Sequence, residues 1–182
     1  MIEVRWHGRG GQGAVTSVEL LAQAAIGAGK YAQGFPSFGP ERRGAPVAAF
    51  SRIDDKKIKV RSGIYKPDVV IVLDSSLIGL VNVTDGLKPD GILIINTPKL
   101  PEDIKKEIKF GGVVATVDAT GIARQELGVP IANTTMIGAL LKMINVVSLD
   151  SLQETLEHRF GRLAQKNLAA MKRAYEEIKI SN

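Results

Sequence analysis

The chain has 182 residues, 45% of them hydrophobic, and a formal net charge of +5, a size and balance that suit one α/β domain with a real core. It contains no cysteine, which excludes thiolate-held iron–sulfur clusters, disulfides and thiol nucleophiles on this chain. Its two histidines, His7 and His158, are too few and too far apart for a zinc site, and no signal peptide or bilayer-length apolar run appears, so a soluble, cytoplasmic protein without a membrane partner is expected.

Residues 2–7 read as a strand. Gly8-Arg9-Gly10-Gly11-Gln12-Gly13 follows, and a helical pattern runs over residues 14–26. Glycine suits backbone that turns sharply or comes close to a ligand. The helix start behind it adds unpaired N–H groups and a partial positive charge. Strand, glycine loop and helix together suit a phosphate or carboxylate; the same glycines also serve a plain tight turn. The spacing satisfies G-x-G-x-x-G, but a dinucleotide fold needs a second strand ending in an acidic residue about 20 residues on. No acidic residue lies between Glu19 and Glu41. Gly34-Phe35-Pro36-Ser37-Phe38-Gly39-Pro40, in the expected place, does not read as a central strand. No G-K-[S/T] follows the glycines, so a nucleotide P-loop fails as well, and no G-x-S-x-G elbow appears.

Residues 47–53 read as a strand, 54–56 as a turn and 57–61 as its hairpin partner. Asp-Val-Val-Ile-Val-Leu at 68–73 is the apolar run of a strand covered on both faces. Asp74-Ser75-Ser76 is expected to cap a short helix toward Val81. A turn at 89–91 precedes a strand over 92–95. Pro101 opens a charged helix to about residue 108. Gly111-Gly112 leads into a strand over 113–117, and Asp118-Ala119-Thr120 into a helix ending near Gly128. Pro130 then breaks the chain. Asn133-Thr134-Thr135 is expected to cap a helix over 136–144, and Ser151 with Glu154 fits a capping box. Leu168, Met171, Ala174, Tyr175 and Ile178 stripe one face of a last helix over 165–178, a packing face by its period. The alternation predicts an α/β fold: a single three-layer domain over residues 1–182, with a largely parallel sheet, a glycine loop after the first strand, an added hairpin, and C-terminal helices.

Charge is unevenly placed. Residues 1–66 carry 11 Lys/Arg against 5 Asp/Glu, and residues 67–182 carry 13 against 14. The positive excess accompanies the glycine loop and Arg42-Arg43, which favours an anionic ligand or partner there. The basic residues are spread out and no nucleic-acid motif accompanies them, so no nucleic-acid partner is expected.

Three segments carry a resemblance: Arg5-Trp6-His7-Gly8-Arg9-Gly10-Gly11-Gln12-Gly13, Phe35-Pro36-Ser37-Phe38-Gly39-Pro40-Glu41-Arg42-Arg43-Gly44-Ala45-Pro46, and Asn133-Thr134-Thr135-Met136-Ile137-Gly138. Together they resemble the gamma subunit of 2-oxoacid:ferredoxin oxidoreductases, over essentially the whole chain, with the pyruvate enzyme, pyruvate synthase, nearest. The resemblance implies a hetero-oligomeric oxidoreductase of anaerobic metabolism. Pyruvate, coenzyme A and oxidised ferredoxin give acetyl-CoA, carbon dioxide and reduced ferredoxin. It implies alpha, beta and delta subunits as partners, thiamine diphosphate with Mg2+ on the beta subunit, [4Fe-4S] clusters on the delta subunit, and no cofactor on this chain. The absence of cysteine and of a Gly-Asp-Gly motif agrees with that division. The isolated chain is then inactive, with no catalytic residue and no metal of its own. Branched-chain and other 2-oxoacid enzymes have comparable gamma subunits, so the acid is not readable here. A stand-alone coenzyme A- or nucleotide-binding regulatory module and a non-catalytic scaffold are the competing readings.

Within such an assembly, a contribution to the coenzyme A side of the site is favoured. The candidates are Arg9, Gly10, Gly11, Gln12, Gly13, Arg42, Arg43, Asn133 and Thr134. Arginine grips phosphate oxygens bidentately, and glycine amides at a helix start add donors. Arg42 and Arg43 suit an ion pair with an acidic patch on a sister subunit equally well. Asn133 and Thr134 are most simply helix caps. Phe35 and Phe38 are expected to anchor the loop or an interface, and His7 to be a structural hydrogen-bonding residue.

Overall fold

Ile2–Arg9 forms β1, the strand around which the sheet is organised; the description rests on a computed structural model that covers residues 1–37 and 43–181. In chain order there follow α1 (Ala14–Gly27), β2 (Tyr31–Pro36), β3 (Pro46–Asp54), β4 (Val69–Val72), β5 (Ile92–Asn96), α2 (Pro101–Ile108), β6 (Val113–Val117), α3 (Ala119–Leu127), α4 (Asn133–Met143), α5 (Gln153–Phe160), α6 (Ala164–Glu177) and β7 (Lys179–Ile180). The seven strands form one sheet in the order β2-β3-β1-β4-β5-β6-β7. β1, β4, β5 and β6 are mutually parallel, and the outer strands β3, β2 and β7 join antiparallel. This is the expected α/β fold with a largely parallel sheet and C-terminal helices.

Strand alternation sends β1 side chains to opposite faces. Val4 and Trp6 enter the larger core, with residues of α1, α3, α4, α5 and α6. Trp6 is fully buried, and its indole N–H donates to Ser51 Oγ at 3.2 Å. Across the sheet, Val70, Val72, Leu93, Ile95 and Val114 meet Leu77, Val83, Leu87 and Ile104 in a smaller core. On this side α2 packs against β6, and Leu77, Val83 and Leu87 complete the cover. Over β1, β3 and β2 the same side has no helix among the described residues, and Phe35 and Phe50 lie there half-buried with ring centroids 5.4 Å apart.

The hairpin differs from the expected one. β3 has β1 on one side and β2 on the other, so no edge is left for residues 57–61, which form no strand. Its hairpin partner is Tyr31–Pro36, part of the Gly/Pro-rich stretch. Pro36 is tolerated because β2 is the edge of the sheet. Gly34 is required there: a Cβ would lie 2.6 Å from the Val18 carbonyl oxygen, because α1 packs directly on the strand. Two caps also differ. α4 begins at Asn133 behind Ala132, with no side-chain cap, because the Thr134 hydroxyl donates to Asn167 Oδ1 at 2.7 Å instead. The Ser151–Glu154 box does not form: Ser151 Oγ bonds Ser148 Oγ at 2.8 Å, and α5 starts uncapped at Gln153. The Asp74 and Asp118 caps form as expected, on a 3-10 turn at Ser75–Leu77 and on α3.

Candidate functional site

The glycine loop lies at the carboxyl ends of the parallel strands, where β1 meets β4. The chain leaves β1 through α1 for β2 and β3 on one side, then passes from β3 to β4 on the other side of β1, the kind of reversal that opens a crevice in α/β sheets. The loop turns through two left-handed glycines, Gly11 (φ 93°) and Gly13 (φ 81°). Gly13 is the residue before α1, and the first amide in the helix ladder is that of Ser17, donating to the Gly13 carbonyl at 3.0 Å. The amides of residues 14–16 therefore open the helix ahead of its ladder.

Gln12 clamps the loop at both ends. Its Oε1 accepts the Arg9 amide at 2.7 Å, and its Nε2 donates to Asp74 Oδ2 at 2.9 Å. Arg9 makes the second tie to the same carboxylate, Nε to Oδ2 at 3.1 Å. Its other nitrogens donate to the Gly44 carbonyl at 3.0 Å and to Ser76 Oγ at 2.9 Å. Arg9 is thus engaged on three protein groups, and what it does is fasten β1 to the segments at 44 and 74–76. Partial burial on its own would raise the Asp74 pKa. Hydrogen bonds from Ser76 and Gln12, with the Arg9 charge, outweigh it and hold the carboxyl below its ordinary range.

Arg43 is brought to the glycine loop by backbone pairing. Gly10 N–H donates to the Ala45 carbonyl at 2.9 Å, Gly44 N–H donates to the Gly10 carbonyl at 3.0 Å, and Gly10 and Arg43 form a parallel bridge. The Arg43 side chain is exposed beside the loop. Arg42 and Phe38 lie outside the described residues.

Asn133 and Thr134 are both buried. Asn133 abuts the loop from the other side: a Cβ on Gly13 would overlap its amide, and its carbonyl accepts Ser17 Oγ at 3.2 Å. Thr134 faces Asn167 and frames α4. The structure therefore gathers Gly10, Gly11, Gln12, Gly13, Arg9, Arg43 and Asn133 at one corner and places Thr134 behind it. Asp74, Ser76 and Asn96 belong to the same strand ends. Asn96 Nδ2 donates to the Leu73 carbonyl at 2.9 Å and to Thr120 Oγ1 at 2.8 Å. Their signal was a polar residue closing an apolar strand run, as in Ile-Leu-Ile-Ile-Asn.

His7, on β1 just before the loop, has a buried Nε2 with no partner. Burial first, and then the nearby Arg5 charge, lowers its pKa to about 4. Near neutral pH this ring is uncharged. Among the described residues no group of three or more His, Asp or Glu converges as a metal site, and no helix is long and apolar enough to cross a membrane.

Residues 3–177 match the family described as pyruvate ferredoxin/flavodoxin oxidoreductase. A Thermococcus kodakarensis protein named pyruvate/ketoisovalerate oxidoreductases common subunit gamma is 54% identical over 179 residues, 97% of each chain. A Methanocaldococcus jannaschii protein named pyruvate synthase subunit PorC is 52% identical over 98% of this chain and 97% of its own length. The crystal structure of pyruvate oxidoreductase subunit PORC from Thermotoga maritima superposes with a TM-score of 0.88 at 42% identity, covering 100% of this chain and 98% of that one.

Proposed function

The chain belongs to the pyruvate ferredoxin/flavodoxin oxidoreductase family, and from that premise we propose that it is the gamma subunit of a multi-subunit pyruvate:ferredoxin oxidoreductase. The observation that carries this reading is identity above 50% along nearly the full length of proteins named as gamma and PorC subunits. The complex joins pyruvate and coenzyme A to give acetyl-CoA and carbon dioxide, and passes the electrons to ferredoxin. Alpha, beta and delta subunits complete it, in the cytoplasm. Thiamine diphosphate with Mg2+, and iron–sulfur clusters, sit on the other subunits, since this chain has no thiolate to hold a cluster. The relative named as common to pyruvate and ketoisovalerate enzymes favours a gamma subunit that leaves the choice of 2-oxoacid to its partners.

Within the complex, the corner at the glycine loop contributes to the coenzyme A side. The amides around Gly11, Gly13 and the start of α1, with Arg43 and Arg42, supply donors for a phosphate. Arg9 and Gln12, tied to Asp74, hold the loop that presents them. Asn133 and Thr134 back it. What supports this reading is the exposure of the Arg43 side chain beside unladdered amides.

Steady-state kinetics of the reconstituted complex test it. Arg43→Ala removes a charge-assisted contact of roughly 1.5–3 kcal/mol, an increase on the order of ten- to hundredfold in the apparent KM for coenzyme A. The KM for pyruvate is expected to stay put, and Arg43→Lys to restore part of the loss. Weakened assembly with an unchanged coenzyme A constant would assign Arg43 to a subunit contact instead. Equal effects on both substrates in an intact complex would refute both roles.

A further inference from the structure

Residues 56–66, Lys-Lys-Ile-Lys-Val-Arg-Ser-Gly-Ile-Tyr-Lys, hold five of the chain's 24 Lys/Arg and none of its 19 Asp/Glu, which leaves 19 of each elsewhere. The entire net charge of the protein thus resides in these eleven residues, and not with the glycine loop and Arg42-Arg43 as the balance over residues 1–66 suggests, since residues 1–55 carry 6 Lys/Arg against 5 Asp/Glu. Lys56, Lys57, Lys59, Arg61 and Lys66 are all exposed, and none forms an ion pair among the described residues. The acids just before them are already engaged: Asp54 with the N-terminal ammonium at 3.4 Å and Asp55 with Lys30 at 2.6 Å.

The segment is fastened rather than loose. Arg52, only 1% exposed, pairs with Glu3 at 2.7 Å and donates to the Gly63 carbonyl at 3.1 Å. Gln33 Nε2, from the edge strand β2, donates to the Val60 carbonyl at 3.2 Å. Ile64 is buried, and the Pro67 carbonyl accepts the Lys88 amide at 3.2 Å. Anchored at these points, the strap presents its cations at a fixed site beside β2. Among them Tyr65 is 77% exposed and Val60 41% exposed. Exposed aromatic and aliphatic side chains ringed by charge are the composition of a protein interface, with anchors at its centre and a polar rim.

We propose that the 56–66 strap is a docking surface for an acidic face of another subunit, Tyr65 and Val60 seating in it and the lysines pairing with its carboxylates. This rests on the gamma-subunit reading, which supplies the partner. It lies outside the glycine-loop corner and involves none of its residues.

The test uses the assembled complex and zero-length carbodiimide coupling, which joins lysine amines to carboxylates in direct contact. Mass spectrometry should find Lys57, Lys59 or Lys66 joined to Asp or Glu of another subunit. A Lys57→Gln/Lys59→Gln/Arg61→Gln chain, whose altered side chains are exposed and form no ion pair among the described residues, should melt like the parent. Its association should be weaker by about tenfold at about 0.05 M salt, and the difference should shrink at about 0.5 M salt. A complex that forms with these lysines uncoupled to any other subunit, or a variant that assembles as tightly as the parent, overturns the strap and leaves the subunit assignment standing. Strap-dependent binding to duplex oligonucleotide or anionic vesicles, with assembly unaffected, also overturns it. A chain that recovers no other subunit refutes the assignment and the strap together.

Discussion

Gly11 and Gly13 share a left-handed backbone but not the same surroundings. Around Gly11 an added methyl meets open space, and at Gly13 it runs into the Asn133 amide. Gly11→Ala should therefore cost about 1 kcal/mol, the price of a left-handed non-glycine residue. Gly13→Ala should cost about twice that, since the Asn133 contact is added. Shortening the obstruction with Asn133→Ala should bring the second cost back toward the first, a coupling that urea denaturation of the four chains would measure. Equal costs for the two glycines would show that Asn133 does not press on the loop. His7 gives a pH signature at the same strand end. Its pKa of about 4 in the folded chain lies below the unfolded value of about 6.5. The unfolded chain therefore binds the extra proton between these values, and stability is full above about pH 6.5 and falls as pH drops toward 4. The loss is at most about 3 kcal/mol. Denaturant midpoints measured across that range should lose this slope in His7→Gln, and a slope that persists would place the titrating group elsewhere.

At the scale of elements, α4 and α6 approach closely enough that Gly138 faces the backbone of Met171, where a Cβ would overlap the carbonyl. A backbone group cannot rotate aside, so Gly138→Ala should force the helices apart at about 3 kcal/mol, lowering the melting temperature by about 10 °C. A change of only a degree or two would mean the pair slides to accommodate it. This glycine, like Gly34 under α1, shows which part of the fold the chain spelled out and which it did not. Val69–Val72, Ile92–Asn96 and Val113–Val117 were legible because short runs rich in β-branched apolar residues, bounded by turn residues, read as strands covered on both faces. Tyr31–Pro36 was not. Its Gly and Pro signal a turn locally, and only the nearness of α1 and the edge position make a strand of it. The caps at Asn133 and Ser151 failed for a related reason: their hydroxyl or amide found a partner, or a neighbour, other than the backbone expected. The glycine loop was readable from spacing alone. The engagement of Arg9 by Asp74, 65 residues away, depends on β1 and β4 being neighbours.

For the whole molecule, the helical layer is thick on one face of the sheet and partial on the other, and the charge is concentrated in one strap at the β2 edge. Both asymmetries fit a chain whose surface is finished by other subunits. The position of β1 has another consequence, for how the protein is made. Its neighbour β3 is complete by Asp54, whereas β4 begins only at Val69. On the ribosome, β1, α1, β2 and β3 emerge as a block while the other side of β1 has nothing to pair with. At roughly 5–20 residues per second that interval is brief. A translational pause once β3 has left the exit tunnel and before Val72 has would prolong it, holding open a strand rim that includes Trp6 and inviting association between nascent chains. The same pause after Val72 has emerged would find β1 already closed on both sides.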